Sequence, residues 1–273
     1  MTELRIEGVG VRYGRVHVVR DVHLIIPAGT VLGLVGESGS GKSSLARGIV
    51  GLAPLSAGSI RMNGRDVGRK PSRSGLQMVF QDPYASLDPR MSAGASIAEA
   101  VPKGTTRAAR DARVAELLGL VGLDPAIAPS RPGKLSGGQR QRVAVARALA
   151  TEPSYLIADE ITSALDVSVQ GAILNLIREL QTNLGLGVLF ISHNIAVVRY
   201  VSDAVAVMRG GEIVENGPVE AVLASPVHPY TQELLAAARA GVLAPGTSEP
   251  SATISQTASG TQHGRASGKT STS

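Results

Sequence analysis

The chain has 273 residues, with 27 Lys plus Arg against 22 Asp plus Glu for a formal charge of +5, and no cysteine. That length suits one large globular unit with a sizeable core, and the missing thiols exclude disulfides, thiolate zinc sites and cysteine-held iron–sulfur clusters. The basic excess is mild, scattered and not interleaved with aromatics, which argues against nucleic acid as a partner; no run approaches the roughly 18 apolar residues needed to span a bilayer, and the opening residues, with Glu3 and Glu7, do not read as a signal peptide.

In chain order, Leu4, Ile6, Val22, Leu24 and Ile26 alternate with polar positions and predict strands over the first thirty residues, closed by a turn at Pro27-Ala28-Gly29. Val31 to Val35 is an apolar run of strand length that leads into GESGSGKS, Gly36 to Ser43, which fits G-x-x-x-x-G-K-[ST]. In that spacing Gly36, Gly39 and Gly41 let the backbone bend, and the loop amides of Glu37, Ser38, Ser40 and their neighbours turn inward. Lys42 then reaches outer phosphates, and the Ser43 hydroxyl suits Mg²⁺. A chain of this length shows the pattern by accident about 1% of the time. The preceding strand and a helical stretch from Ser44 to Leu52 favour a nucleotide loop over a plain Gly/Ser turn.

Gly58 to Asp66 reads as a hairpin around Asn63-Gly64, and Leu76 to Phe80 as a short strand. From Ser92 to Leu123 the period becomes helical, with Val114, Leu117, Leu118 and Val121 on one face, and a helical insert is expected over about 92–150. A further helix opens in KLSGGQRQRVAVARALA, where Ser136 and Gln139 stand three apart as in a capping box. Ser136, Gly137 and Gly138 could equally present amides to an anion. Tyr155 to Ala158 predicts a parallel strand buried on both faces and ending in Asp159-Glu160, one carboxylate for a Mg²⁺ shell and one to polarise water. Val169, Ile173, Ile177, Leu180 and Leu184 mark a long amphipathic helix, followed by a strand at Val188 to Ile191 and by His193 at its end, where active-site loops leave parallel sheets. Strand, helix, strand implies an α/β core with helices on both faces of the sheet. Beyond about Gly241 Ser, Thr, Gly and Gln dominate and disorder is expected, so the division is a domain over 1–240 and a tail over 241–273.

LSGGQ, Leu135 to Gln139, set between a phosphate loop and a hydrophobic-Asp-Glu strand, resembles the signature of the ABC ATPases, and the remaining motifs of that family follow in order. By this resemblance Tyr13 stacks on adenine, Gln81 joins the ATPase core to the helical insert, and Ser163 to Asp166 is the D-loop. Lys42 and Ser44 belong to the phosphate loop, and His193 contacts the γ-phosphate and fixes Glu160 and the attacking water. Glu160 is the general base. ATP and Mg²⁺ are the implied cofactors, with Ser43, Gln81 and Asp159 as the metal-side residues. The implied fold is a P-loop NTPase core of mostly parallel sheet with an N-terminal antiparallel β-subdomain and a helical insert that carries the signature. The signature segment, Ser136, Gly137 and Gly138 with Gln139, would complete the nucleotide site of a second ATPase subunit in a head-to-tail dimer, and Asp166 of the D-loop is a further expected nucleotide-binding residue. The chain departs from the common Asp-Glu-Pro-Thr at Ile161, and Ser44 stands where threonine is frequent.

FQDPYASLDPR, Phe80 to Arg90, and VHPYTQELLAAA, Val227 to Ala238, look like the subgroup that drives dipeptide, oligopeptide and nickel importers. The resemblance implies two membrane permease subunits, an extracytoplasmic substrate-binding protein and a peripheral place on the cytoplasmic face of the membrane, with Asp82 to Arg90 as an exposed docking loop. The rivals are an ABC exporter, an ABC ATPase of a nucleic-acid or ribosome system, and a P-loop small-molecule kinase. The kinase leaves LSGGQ and the Ser163 to Asp166 segment unexplained.

Overall fold

The computed structural model describes residues 2–67, 75–82 and 86–239; the tail from 241 lies outside them. The first two strands, β1 (Glu3–Tyr13) and β2 (Val16–Pro27), pair antiparallel. They continue through β4 (Leu55–Met62) and β5 (Arg65–Asp66) into a four-stranded sheet of order β2-β1-β4-β5. The turn between β4 and β5 falls at Asn63-Gly64, as the sequence predicts.

A six-stranded sheet forms the second layer: β3 (Val31–Val35), β6 (Leu76–Val79), β7 (Tyr155–Asp159), β8 (Gly187–Ile191), β9 (Ala204–Arg209) and β10 (Glu212–Pro218), in the order β10-β9-β3-β8-β7-β6. β3 pairs parallel with both β8 and β9, and β7 with both β6 and β8; only β9 to β10 is antiparallel. The P-loop core with its antiparallel β-subdomain is therefore the fold.

Strand residues alternate between two cores, because successive side chains leave opposite faces of a pleated strand. Leu32, Leu34, Ile157, Leu189, Ile191 and Met208 face the antiparallel sheet and helix α1 (Lys42–Ile49). Val35, Leu156, Val188, Phe190, Val205 and Val207 face the remaining helices. Both faces are covered, which is why these strands read as unbroken apolar runs. Removing the Phe190 ring, fully buried at the centre, would cost about 3–5 kcal/mol.

The helical insert holds α2 (Ala93–Ala100), α3 (Arg107–Leu120) and α4 (Gly137–Leu149). Val114, Leu117, Leu118 and Val121 are all buried against Ile97 and Val143 in the core shared with the sheet. α5 (Val167–Leu184) is the long amphipathic helix, though its buried stripe runs from Ile173 to Leu180 and Leu184 is 47% exposed. α6 (Ile195–Val201), α7 (Val219–Ala224) and α8 (Pro229–Arg239) complete the chain. α1 begins two residues before its predicted start and ends three before its predicted end, because the phosphate loop itself winds into the first turn and Gly51 turns left-handed after the last. No helix among the described residues is long and apolar enough to cross a membrane.

Candidate active site

β3 stops at Val35 and the chain wraps through the glycine loop into α1, whose N-cap is Gly41. Gly41 has φ 106°, and a Cβ there would lie 2.7 Å from the Val18 carbonyl oxygen, so the position tolerates glycine alone. No side chain caps this helix, which leaves first-turn amides to a ligand. The Lys42 ammonium donates to the carbonyls of Gly36 (2.8 Å) and Glu37 (2.7 Å) and lies 3.3 Å from the Ser40 hydroxyl. Burial holds its pKa below the usual lysine range, against the attraction of Glu160, Asp159 and Glu37. A buried ammonium held chiefly by neutral oxygens is suited to an anion, which would supply the missing negative partner.

The Ser43 hydroxyl donates to Asp159 Oδ1 at 3.0 Å. Asp159 ends β7 and is 4% exposed. Burial pushes its carboxyl pKa up, the Ser43 bond pulls it down and neighbouring Glu160 raises it again. Glu160 follows with φ 49°, a left-handed backbone that a non-glycine residue adopts at a cost of order 1–3 kcal/mol. Its N–H donates to the Ile191 carbonyl at 3.0 Å, which pins the turn to the end of β8. Each carboxylate oxygen then has its own neighbour: Oε2 accepts from Gln81 Nε2 at 3.0 Å, and Oε1 lies 3.5 Å from His193 Nδ1. A cavity of about 310 Å³ is lined by Gly41, Lys42, Ser43, Ser44, Gln81 and Glu160. A larger one, about 630 Å³, opens between Leu24 on β2 and Pro218 on β10, but it is mostly apolar and holds none of these groups.

The signature residues lie elsewhere. Ser136 Oγ accepts the Gln139 N–H at 3.2 Å, and Gln139 Oε1 accepts the Ser136 N–H at 2.9 Å, closing the capping box that the sequence predicts. A Cβ at Gly138 would stand 2.6 Å from Val169 Cγ1, so this glycine lets α4 pack against α5. Asp166 occupies the exposed N-cap of α5 without capping it, and Tyr13 is 43% exposed at the tip of the β1–β2 hairpin. None of these lines the phosphate-loop cavity.

The ABC transporter family profile matches residues 19–163, more than half of the chain. The chain belongs to the ABC transporter family. It is 50% identical over 226 residues to a Brucella abortus (strain 2308) protein named for peptide import and ATP binding, a match that covers 80% of this chain and 68% of that protein. It is 46% identical over 234 residues to the oligopeptide transport ATP-binding protein OppF of Bacillus subtilis (82% of this chain, 77% of the relative). Among solved structures, cbiO1 from Clostridium perfringens, described as part of the ABC transporter complex cbiONQ, is similar at TM-score 0.74 and 28% identity over 81% of this chain and 90% of that one. As a member of this family the chain is an ATPase.

Within this ABC ATPase several structural contacts escape sequence reasoning. Ser163 donates through Oγ to the Glu160 carbonyl at 2.9 Å, and Gln170 Nε2 donates to the carbonyls of Thr162 and Leu165 at 3.0 Å each, so the chain after β7 is pinned on both sides. Ile161, the departure from proline, is buried in the helix-side core. Val18 lines the cavity, and Tyr230 touches the phosphate loop from α8. An alternating Val and a Tyr in a helical stretch carry no such signal by themselves. Of the segment Asp82 to Arg90, expected to dock, Asp88, Pro89 and Arg90 are exposed, whereas Leu87 is buried at 3% exposure, and residues 83–85 lie outside the described ones.

Proposed function

We propose that this chain hydrolyses ATP to drive peptide import, dipeptide or oligopeptide, through two separate membrane subunits, working on the cytoplasmic face of the membrane with an extracytoplasmic binding protein. The relatives named for peptide import support the cargo class. A nickel importer is the other member of the resembled subgroup, and no relative reported above is named for it. The observation that carries the reading is the double hold on Glu160, by Gln81 and His193, at the rim of the phosphate-loop cavity.

Glu160 is the general base. With one oxygen engaged by Gln81 and the other facing His193, its carboxylate is oriented before substrate arrives, and such pre-positioning is most of what phosphoryl transfer asks of a protein. Water loses a proton to Glu160 as its oxygen attacks the γ-phosphorus, the bond to the bridging oxygen breaks, and ADP departs. Lys42 and the uncapped amides of α1 hold the phosphates. His193 steadies Glu160 and reaches the γ-phosphate side.

Ser43 and Asp159 fit Mg²⁺: a hydroxyl and a buried carboxylate already 3.0 Å apart are hard oxygen donors, and this ion keeps one or two protein ligands beside substrate phosphates. When bound, Mg²⁺ would neutralise charge on the β- and γ-oxygens. Gln81, whose Nε2 is engaged by Glu160, would meet the ion through its amide oxygen. Tyr13 would stack on adenine, and Ser136, Gly137, Gly138, Gln139 and Asp166 would serve the nucleotide of the second ATPase subunit.

The test is uptake of labelled peptides into proteoliposomes that hold the chain, its partner ATPase and the two permeases, with binding protein outside and ATP on the side of the ATPase. ATP-dependent accumulation is expected. Transport of Ni²⁺ but not of peptide would shift the cargo, and ATP-driven efflux would replace import by export.

A further inference from the structure

The segment Val227 to Ala238 marks the importer subgroup in the sequence, and nothing in the hydrolytic chemistry above uses it. Its local structure is unusually well tied. Glu215 on β10 accepts the N–H of Val227 at 2.8 Å through Oε1 and that of His228 at 3.1 Å through Oε2. The His228 ring then accepts the Tyr230 N–H on Nδ1 at 3.1 Å. His228 precedes α8 at Pro229, and its carbonyl accepts the Thr231 N–H at 2.9 Å. The outcome is a fixed entry to α8 that drives Tyr230 inward, where it is 5% exposed.

Tyr230 ends at the phosphate loop. Its hydroxyl accepts the backbone N–H of Glu37 at 2.9 Å, a contact between residues 193 positions apart. The carbonyl of that same peptide unit, Gly36 O, accepts from Lys42 Nζ at 2.8 Å. One amide plane of the loop is thus gripped from both ends, by the lysine on one side and by the C-terminal helix on the other. The guanidinium of Arg209 lies 4.7 Å from the centre of the Tyr230 ring and fixes the ring in its slot. Burial raises the phenol pKa, so the hydroxyl stays neutral at ordinary pH.

We propose that Tyr230 is a positioning residue for the phosphate loop, and that the strap from Val227 to Tyr230, at the entry to α8, sets ATP affinity by fixing the Gly36–Glu37 peptide and, through it, Lys42. The inference rests on the reading that Gly36 to Ser43 holds the phosphates of ATP. A free amide plane would let the Gly36 carbonyl rotate and the Lys42 ammonium wander, which weakens phosphate binding without touching the base or the water.

Tyr230→Phe removes only the hydroxyl. It is expected to raise the Kd for Mg-ATP about 2- to 10-fold by calorimetry on the full chain, the range that one hydrogen bond supplies, and to abolish slow hydrogen exchange at the Glu37 amide. Glu215→Gln weakens the anchor of the strap and should give a smaller rise. Leu234→Ala, a buried residue one turn beyond Tyr230 that makes none of the strap's hydrogen bonds, should lower the melting temperature and leave the Kd unchanged. An unaltered Kd in Tyr230→Phe, or an equal rise in Leu234→Ala, overturns the positioning role. Should the wild-type chain and Lys42→Ala bind ATP equally, the phosphate-loop reading beneath it fails instead.

Discussion

At the start of α1 the cap is Gly41, with no side chain to satisfy the first amides, while at the start of α4 Ser136 and Gln139 bond each other's backbone and close the turn on itself. α1 is shaped from afar: Val18 and Tyr230 press on its loop, and Asp159 meets Ser43 from β7. α4 is shaped by its own next residues and by Val169 one helix away. The two ends teach that a glycine-rich helix start is not one kind of object. The first leaves its amides open beside a cavity lined by Lys42 and Glu160, as the proposed anion site requires. The second has its cap satisfied and lines no part of that cavity, so any nucleotide it serves must come from outside the chain.

That contrast can be broken most directly at Ser136. Ser136→Arg is expected to leave ATP binding to the single chain within twofold but to abolish ATP-driven dimerisation in sedimentation or scattering; loss of the cap itself costs only about 1 kcal/mol, so the fold survives. Undiminished dimers would show that α4 serves no second nucleotide. At the other end, Glu160→Gln keeps the shape of the site and the Gln81 contact, so the ATP Kd should hold while hydrolysis by the assembled complex slows by about 10² or more. Wild-type turnover would remove Glu160 as the base.

A subtler probe separates packing from chemistry in the signature. Gly138→Ala forces a methyl to within 2.6 Å of Val169, a β-branched neighbour with little freedom to yield. It should destabilise the chain by about 1–3 kcal/mol in urea unfolding, whereas Gly138→Ala combined with Val169→Ala should recover most of that loss. The smallest effect concerns pH. Burial alone would raise the Glu215 carboxyl, but the donors around it outweigh that and hold its pKa below the usual glutamate range. A depressed carboxylate contributes stability that is present above its unfolded pKa and lost as pH falls through the folded value. Slow exchange at the Val227 and His228 amides should therefore persist at neutral pH and fade below the normal glutamate range; protection that does not change with acid would mean the carboxylate is not what holds the strap.

Much of this architecture is legible in the residues. The capping box, the Asn63-Gly64 turn and the doubly buried strands are local, set by neighbours two to four positions apart, and each shows as a pattern in a short window. The phosphate loop is legible for the same reason, since its glycines and Lys42 lie within eight residues. Helix ends are less so: Leu184 fits the stripe of α5 yet is exposed, because the core it would face has already ended.

By itself, then, the sequence determined the main elements as far as β8 and the order of the motifs, and it set the chemistry expected of Lys42, Ser43, Asp159, Glu160 and His193, whereas β9, β10 and the helices α6 to α8 carry no prediction. Only the tertiary structure decided that Gln81 and His193 take opposite oxygens of Glu160, that Val169 is why Gly138 is a glycine, and that Tyr230 holds the Glu37 amide. These contacts join residues 31 to 193 positions apart. No short-range period encodes such pairs. They exist because β7 and β8 lie side by side, α4 packs on α5 and α8 returns to the sheet, and burial of the apolar faces, not any local preference, brings those elements together.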